Sequence, residues 1–360
     1  MKSFVHWNRG RTPRQAHVDL DGLKDDELGR AGFSGRQVQL YRRHDPTAYK
    51  SEGAYRPRRG NVFDLSCEDA TDPRGRPTVL LANDDCRVAI SRRSAPMPYY
   101  FRNVNGDEVH FVHQGTGRFE TEMGTVPYEP GDYVVIPKAI TYRIVPDGAE
   151  NLFFVVETSD ELQVPDYGPL GRHAPFDPGL VFVPEARVID DPNPWEIVIQ
   201  HGDSLSSIRY PHDPCDVEGW KGDLFPFKLN IRDWNVISSD TLHLPPSVHQ
   251  FLGARGVVVC TFLPHPAPSR VGAERVPWYH RNADFDEITF YHGGSFLGTP
   301  LPPGLFEHAP QGIHHGAPEI ARVMARKTHE KHSRLEWKIV CIETTKPLVP
   351  TEAFKKLAGG

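Results

Sequence analysis

Short alternating or wholly apolar runs, separated by Gly/Pro-rich turns, dominate this chain. Such runs read as strands over 78–82, 86–90, 109–114, 118–121, 133–137, 140–144 and 152–157. In 109–114, Val109, Phe111 and His113 share one face and His110 takes the other. The pattern resumes at 195–200, 206–210, 257–262, 286–292 and 337–344. Helical periodicity is scarce. One amphipathic helix is expected over 318–327, with Ile320, Val323 and Met324 on its apolar face. One or two helical turns are expected over 23–28, in a polar N-terminal arm of about 60 residues that should wrap the first domain. Many short strands, turn residues and few helices argue an all-β jelly roll or sandwich.

The strand pattern repeats. Tyr99-Tyr100-Phe101-Arg102-Asn103 leading to Asp107-Glu108 and His113 aligns without a gap on Trp278-Tyr279-His280-Arg281-Asn282 leading to Asp286-Glu287 and His292. Phe101 falls on His280, Glu108 on Glu287 and His113 on His292, each 179 positions on. A repeat at this period means two copies of one unit. A later pair of segments, 137–142 and 310–315, aligns at an offset of 173 and sets Thr141 and Tyr142 against His314 and His315. The chain therefore reads as two barrels. Residues 1–170 give an arm and a scaffold barrel without metal ligands, and 171–360 give the working barrel.

Composition narrows the class. With 38 % hydrophobic and 10 % aromatic residues, the 360-residue chain can pack cores, and 31 glycines and 34 prolines supply the turns. A net charge of -6 and the lack of a dense basic cluster argue against nucleic acid. Five widely spaced cysteines without a CxxC argue against a disulfide framework and for a reducing compartment. No run has the length of a membrane span or a signal-peptide core, so a soluble cytoplasmic protein is expected.

Two histidines and one carboxylate on one face of a metal, with other positions open, mark non-haem Fe(II) oxygenases. His280 and Glu287 are two candidates, with Asp286 the rival carboxylate. Glu287 is favoured because it opens the strand and Glu108 keeps the same phase. The third ligand should come from a returning strand, where His308, His314 and His315 stand. A lone histidine is more often an ordinary hydrogen-bonding side chain. The trio, set beside a twin half that lacks both histidines, favours a metal. His113 and His292 occur in both halves and read as structural, as do Arg102-Asn103 and Arg281-Asn282.

The second half resembles homogentisate 1,2-dioxygenase, a family of iron-dependent ring-cleaving bicupins. The resemblance rests on Asp213-Pro214-Cys215-Asp216-Val217-Glu218-Gly219-Trp220-Lys221-Gly222, on Phe225-Pro226-Phe227-Lys228-Leu229-Asn230 and on His243-Leu244-Pro245-Pro246-Ser247-Val248. It rests further on Tyr279-His280-Arg281-Asn282 and Gly312-Ile313-His314-His315-Gly316. The arm stretch 27–35 is similar to the shorter bacterial members. The resemblance implies a bicupin of two jelly-roll barrels with few short helices, an Fe(2+) cofactor, O2 and a small aromatic substrate, and a homo-oligomer. It implies His280, Glu287 and His315 as ligands, His243 as general base, and His308, His315 and Phe296 at the substrate. The chain departs from the pattern in three ways: a His-to-Glu spacing one residue longer, His314 in place of a proline, and Phe296 in place of a tyrosine.

The expected activity is an Fe(II)-dependent dioxygenase opening a hydroquinone-type acid, homogentisate or a relative. An imidazole with its ordinary pKa near 6.5 can take a proton from a ring hydroxyl. The alternatives are a cupin isomerase or hydrolase using another divalent metal, and a non-enzymatic cupin that binds a small molecule.

Overall fold

The structure, a computed structural model, describes residues 7–31, 35–166, 176–243 and 250–359. It is built almost wholly of strands. Among the described residues the α-helices are Glu319–Thr328 and Glu352–Leu357. Neither is long and apolar enough to cross a membrane. All five cysteines are buried and free.

Each half forms a barrel of two facing sheets, as the strand pattern led us to expect. In the first, a seven-stranded sheet has Asp132–Ile136, Asp107–Gln114, Leu152–Thr158 and Cys86–Ser91 at its centre. A six-stranded sheet faces it, built around Tyr100–Asn103, Thr141–Pro146 and Gly117–Thr121. In the second barrel the order Val257–Phe262, Lys338–Thr344, Asp286–Gly293, Leu305–Ala309 repeats the first. The duplication is thus spatial: Tyr100–Asn103 and Asp107–Gln114 correspond in place and length to Tyr279–Asn282 and Asp286–Gly293.

The expected boundary between residues 170 and 171 lies outside the described residues. Strand pairing crosses it in both directions. Phe227–Asn230 pairs with Asp132–Ile136, Trp195–His201 with Tyr100–Asn103, and Val349–Pro350 with Thr78–Ala82. In return, Arg58–Asn61 pairs with Leu305–Ala309 in the second barrel.

The N-terminal arm corrects two expectations. Its polar stretch Lys24–Gly29 is a strand, not helical turns. Backbone partners on both edges decide this: Gln37–Arg42 runs antiparallel on one side and Tyr279–Asn282 parallel on the other. The arm therefore lies against the second barrel, not the first. The helix Glu319–Thr328 forms where expected but buries a different face. Ile320 is 71 % exposed, while Arg322 is 1 % exposed. Arg322 is held by Asp25 at 3.2 Å, Glu274 at 3.0 Å and the Pro277 carbonyl at 2.8 Å, over the Tyr279 ring. A buried guanidinium with this set of partners outcompetes an apolar stripe for the inward position.

The two barrels share one large apolar core. Phe111, Tyr133 and Phe154 of the first meet Phe251, Ile288, Phe290 and Phe306 of the second. The first barrel's interior is filled by Phe101, Phe119, Tyr142 and Phe153. The second barrel's interior is hollow, holding a cavity of about 1110 Å³.

Candidate metal centre

His280, Glu287 and His315 converge at the cavity. Their ligand atoms all lie within 4.8 Å of one another. Glu287 Oε2 is 3.4 Å from His280 Nε2 and 3.1 Å from His315 Nε2, and the two rings are 4.0 Å apart at 62°. The fold sets this geometry. His280 and His315 exchange both main-chain hydrogen bonds, at 3.0 and 2.9 Å. Each Nδ1 faces a carbonyl two residues back: Trp278 at 3.5 Å for His280, Ile313 at 3.0 Å for His315. That contact fixes the tautomer and turns Nε2 inward, as in metal-ligating histidines. Donors bound at about 2.1 Å and at right angles sit about 3 Å from each other, so the trio fits a single ion.

The electrostatics agree with a cation. Burial pushes the Glu287 carboxyl upward, yet His315 and His280 outweigh it and hold the group well below its ordinary range. Burial lowers His315, but Glu287 more than reverses this and raises it. Across the strands stands Glu343, buried with both carboxyl oxygens lacking a hydrogen bond among the described residues. Burial, and then the Glu287 charge, raise it well above the ordinary range. Of two buried carboxyls side by side, one keeps its proton unless a positive charge stands beside them.

The first barrel shows the same layout emptied of ligands. Phe101 and Tyr142 pair in register where the two histidines stand, and the Tyr142 hydroxyl donates to Glu108 at 2.8 Å. Burial lifts Glu108 to about 7.

The rival ligands are engaged elsewhere. Asp286 accepts from the Gln311 amide at 3.0 Å and the Leu348 amide at 2.8 Å, and contacts His308 Nε2 at 2.8 Å. Its counterpart Asp107 accepts from the Lys138 and Leu162 amides, both at 2.7 Å, so this position keeps the fold in both halves. His314 turns to Asp26 at 3.1 Å and Arg281 at 3.2 Å, away from the trio. His308 borders the cavity, but it pairs in register with Ile288, and its Nε2 is taken by Asp286 on the strand face opposite Glu287.

His243 and Phe296 both line the cavity. Phe296 packs against Trp337 at 5.6 Å. His243 is buried beside His265 and Trp337, and neither ring nitrogen makes a hydrogen bond of normal geometry among the described residues. Burial, with His265 adding to it, pushes its pKa down to about 3 against a smaller opposing pull from the Arg275 main chain. The 244–248 part of its motif lies outside the described residues.

Sequence reasoning missed what the arm contributes. Glu27 lies in register with His280 and lines the cavity, held by Gln39 at 2.5 Å. His17 lines it too, with Asp25 behind it. The available signal was Asp25 and Glu27 two apart, on one face of a strand, and the helical reading hid it.

Comparison with known proteins finds the following likenesses. A family profile described as homogentisate 1,2-dioxygenase N-terminal matches residues 88–231. Homogentisate 1,2-dioxygenases of Nitrobacter hamburgensis and Bradyrhizobium diazoefficiens are each 28 % identical, over 222 and 233 residues. Over these stretches the chain is similar to the homogentisate 1,2-dioxygenase family. These alignments cover 59 and 62 % of the chain but 47 and 50 % of those enzymes, so the chain spans about half their length. A protein of Saccharolobus solfataricus, provisionally named a dioxygenase, is 27 % identical over 315 residues, covering 82 % of this chain and 81 % of its own. Among solved structures, a cupin 2 conserved barrel domain protein from Leptotrichia buccalis overlays loosely, with TM-score 0.34 and 10 % identity over 74 % of this chain and 89 % of its own. The family profile ends at residue 231, ahead of the strands that carry His280, Glu287 and His315.

Proposed function

We propose that this chain is an Fe(II)-dependent dioxygenase that opens the ring of a hydroquinone-type aromatic acid, homogentisate or a relative, with O2. The observation that carries the reading is the convergence of two Nε2 atoms and one carboxylate at a cavity large enough for an aromatic substrate. Fe(II), when bound, would polarise a ring hydroxyl and activate O2. His280, Glu287 and His315 would hold it. Trp278, Phe296 and Trp337 offer apolar walls for a ring and keep water from its faces. His243 stands in the same wall with neither nitrogen in a hydrogen bond of normal geometry among the described residues, able to hydrogen-bond a ring hydroxyl. His308 would act from behind the wall, by steadying Asp286. The first barrel is a scaffold in this reading, and the enzyme is cytoplasmic and homo-oligomeric, as its kinship implies.

The test is an oxygen-electrode screen of dihydroxyphenyl acids against iron-loaded protein. Substrate-dependent O2 uptake supports the reading. Metal bound without O2 uptake would point to a cupin isomerase or hydrolase working with another divalent ion. Protein that retains no metal would point to a non-enzymatic binding role.

A further inference from the structure

We infer that His17, from the N-terminal arm, is the residue that accepts and holds the substrate proton in this cavity, with Asp25 as its positioning partner. The inference rests on the dioxygenase reading above for the identity of the proton, and on the following geometry for the residue.

His17 Nδ1 lies 2.7 Å from Asp25 Oδ2, and both side chains are buried, at 7 and 0 % exposure. A carboxylate there accepts a hydrogen bond from Nδ1–H, which leaves the Nε2 lone pair as the free end of the ring. Among the described residues Nε2 has no partner, and the ring borders the cavity. The other Asp25 oxygen is held by Arg322 Nη1 at 3.2 Å, and Arg322 is shared with Glu274 at 3.0 Å. This is a base, an orienting carboxylate and an anchor for the carboxylate, buried together.

The ring is also placed. It stacks on Trp278 at 4.2 Å and 19°. Its main chain is held through its carbonyl, which accepts from the Glu274 amide at 2.9 Å. Its φ of 65° lies in the left-handed region, which a non-glycine residue occupies only when its surroundings hold it there. Trp278 stands two residues before His280, and Asp25 stands two residues before Glu27, the residue in register with His280. The two side chains that hold the ring, Trp278 and Asp25, are therefore one two-residue step, about 7 Å, along the paired strands from His280 and Glu27. That is the reach of one ring-sized substrate.

His243 offers no comparable support. Among the described residues it has no carboxylate partner, and its surroundings disfavour the protonated ring. The charged and titratable groups facing His17 are Asp25, Glu27, Glu274, Arg322 and His243. In the step, the substrate O–H bond breaks and an Nε2–H bond forms. The oxygen keeps the electron pair as an oxyanion, and the imidazolium is balanced by Asp25. The proton returns to the ring-opened product.

The test compares His17→Ala, His17→Asn, Asp25→Asn and His243→Asn in iron-loaded protein, using the dihydroxyphenyl acid that supports O2 uptake. We expect unchanged iron content, a fall in kcat of about 10²–10⁴ for both His17 variants, and partial rescue of His17→Ala by added imidazole. The acid limb of the pH–rate profile should vanish in the His17 variants and persist in His243→Asn. Activity of His17→Asn within threefold of the parent, or loss of the acid limb in His243→Asn alone, would overturn the assignment. A second readout needs no turnover. Nitrogen NMR of the histidine rings should show His17 with a proton on Nδ1 and none on Nε2 at neutral pH, and Asp25→Asn should abolish that bias. A proton on Nε2 in the parent protein overturns the assignment whether or not any acid is oxidised. Lack of O2 uptake with a correctly biased His17 ring would instead count against the choice of substrate and reaction.

Discussion

His113 and His292 meet with their Nδ1 atoms 3.0 Å apart, each from the same position of its repeat. Phe111 packs on His292 at 5.1 Å and Phe290 packs on His113 at 5.1 Å, so the contact is reciprocal, as at the axis of a two-fold dimer. One ring must donate and the other accept, and burial disfavours a charge on either. Burial lowers His113 to about 4, and burial, with His113 adding to it, lowers His292 to about 3.

Acid should therefore loosen the junction between the barrels. Above about pH 6.5, the ordinary histidine value, neither ring carries a proton in either state and the pair leaves stability flat. Below it, the unfolded chain takes up protons that the folded pair refuses, and stability falls until the pH reaches the folded values. For His113 the full loss is on the order of 3 kcal/mol. Urea denaturation from pH 7.5 to 4.5 should show a steeper decline in the parent than in His113→Asn/His292→Asn. Equal slopes would mean that the pair is not what titrates.

The repeat and its strands were legible because they are local: alternation within eight residues, and an ungapped offset of 179. The candidate metal trio was legible because the twin half supplies its own control, with Phe101 and Tyr142 standing where His280 and His315 stand. The arm was not legible, for a physical reason. Asp25 and Asp26 are both wholly buried, against the alternation rule, and each is contacted by a partner far away in sequence, Arg322 for Asp25 and His314 for Asp26. The same guanidinium inverted the expected face of its helix. Polar networks closed over nearly 300 residues leave no periodic trace.

The emptied first barrel can be refilled. Glu108 already stands in place, so Phe101→His/Tyr142→His should create a second trio. We expect iron per chain to rise from about one to about two, read by elemental analysis after loading and desalting. Loss of the Phe101–Tyr142 contact at 5.8 Å, and of the Arg76 guanidinium stacked over Phe101 at 3.9 Å, should lower stability by about 1–3 kcal/mol. A folded double variant that still binds one iron would show that the trio alone does not make the site; Glu157, the counterpart of Glu343, is tied up by Asn103 at 2.6 Å and Gln200 at 3.3 Å, whereas Glu343 is not hydrogen-bonded among the described residues.

Neighbouring histidines should separate cleanly. His315→Ala and His280→Ala should each lose bound iron, whereas His314→Ala should keep it and lose at most the stability of its Asp26 contact, about 1–2 kcal/mol. His243→Ala should keep iron and slow turnover, because it borders the cavity without touching the trio. Iron content that survived His315→Ala but not His314→Ala would invert the ligand assignment.

Phe296 is where substrate choice can be probed. It lines the cavity beside Trp337, half-buried, at the place where the resemblance implies a substrate-contacting tyrosine. A phenyl ring offers no hydrogen bond to a carboxylate or hydroxyl, and a site built to bond a polar group discriminates strongly against lacking it. If the natural substrate is homogentisate itself, Phe296→Tyr should raise kcat/KM for it about tenfold, chiefly through KM, since one added hydrogen bond to a charged group contributes about 1.5 kcal/mol. If the natural substrate carries an apolar group at that position, the same change should lower kcat/KM, because a hydroxyl would then be buried without a partner. The ratio of kcat/KM values for homogentisate and for a dihydroxybenzene bearing an alkyl chain, in parent and variant, tells the two apart. A ratio unmoved by the substitution would place Phe296 outside the substrate's reach.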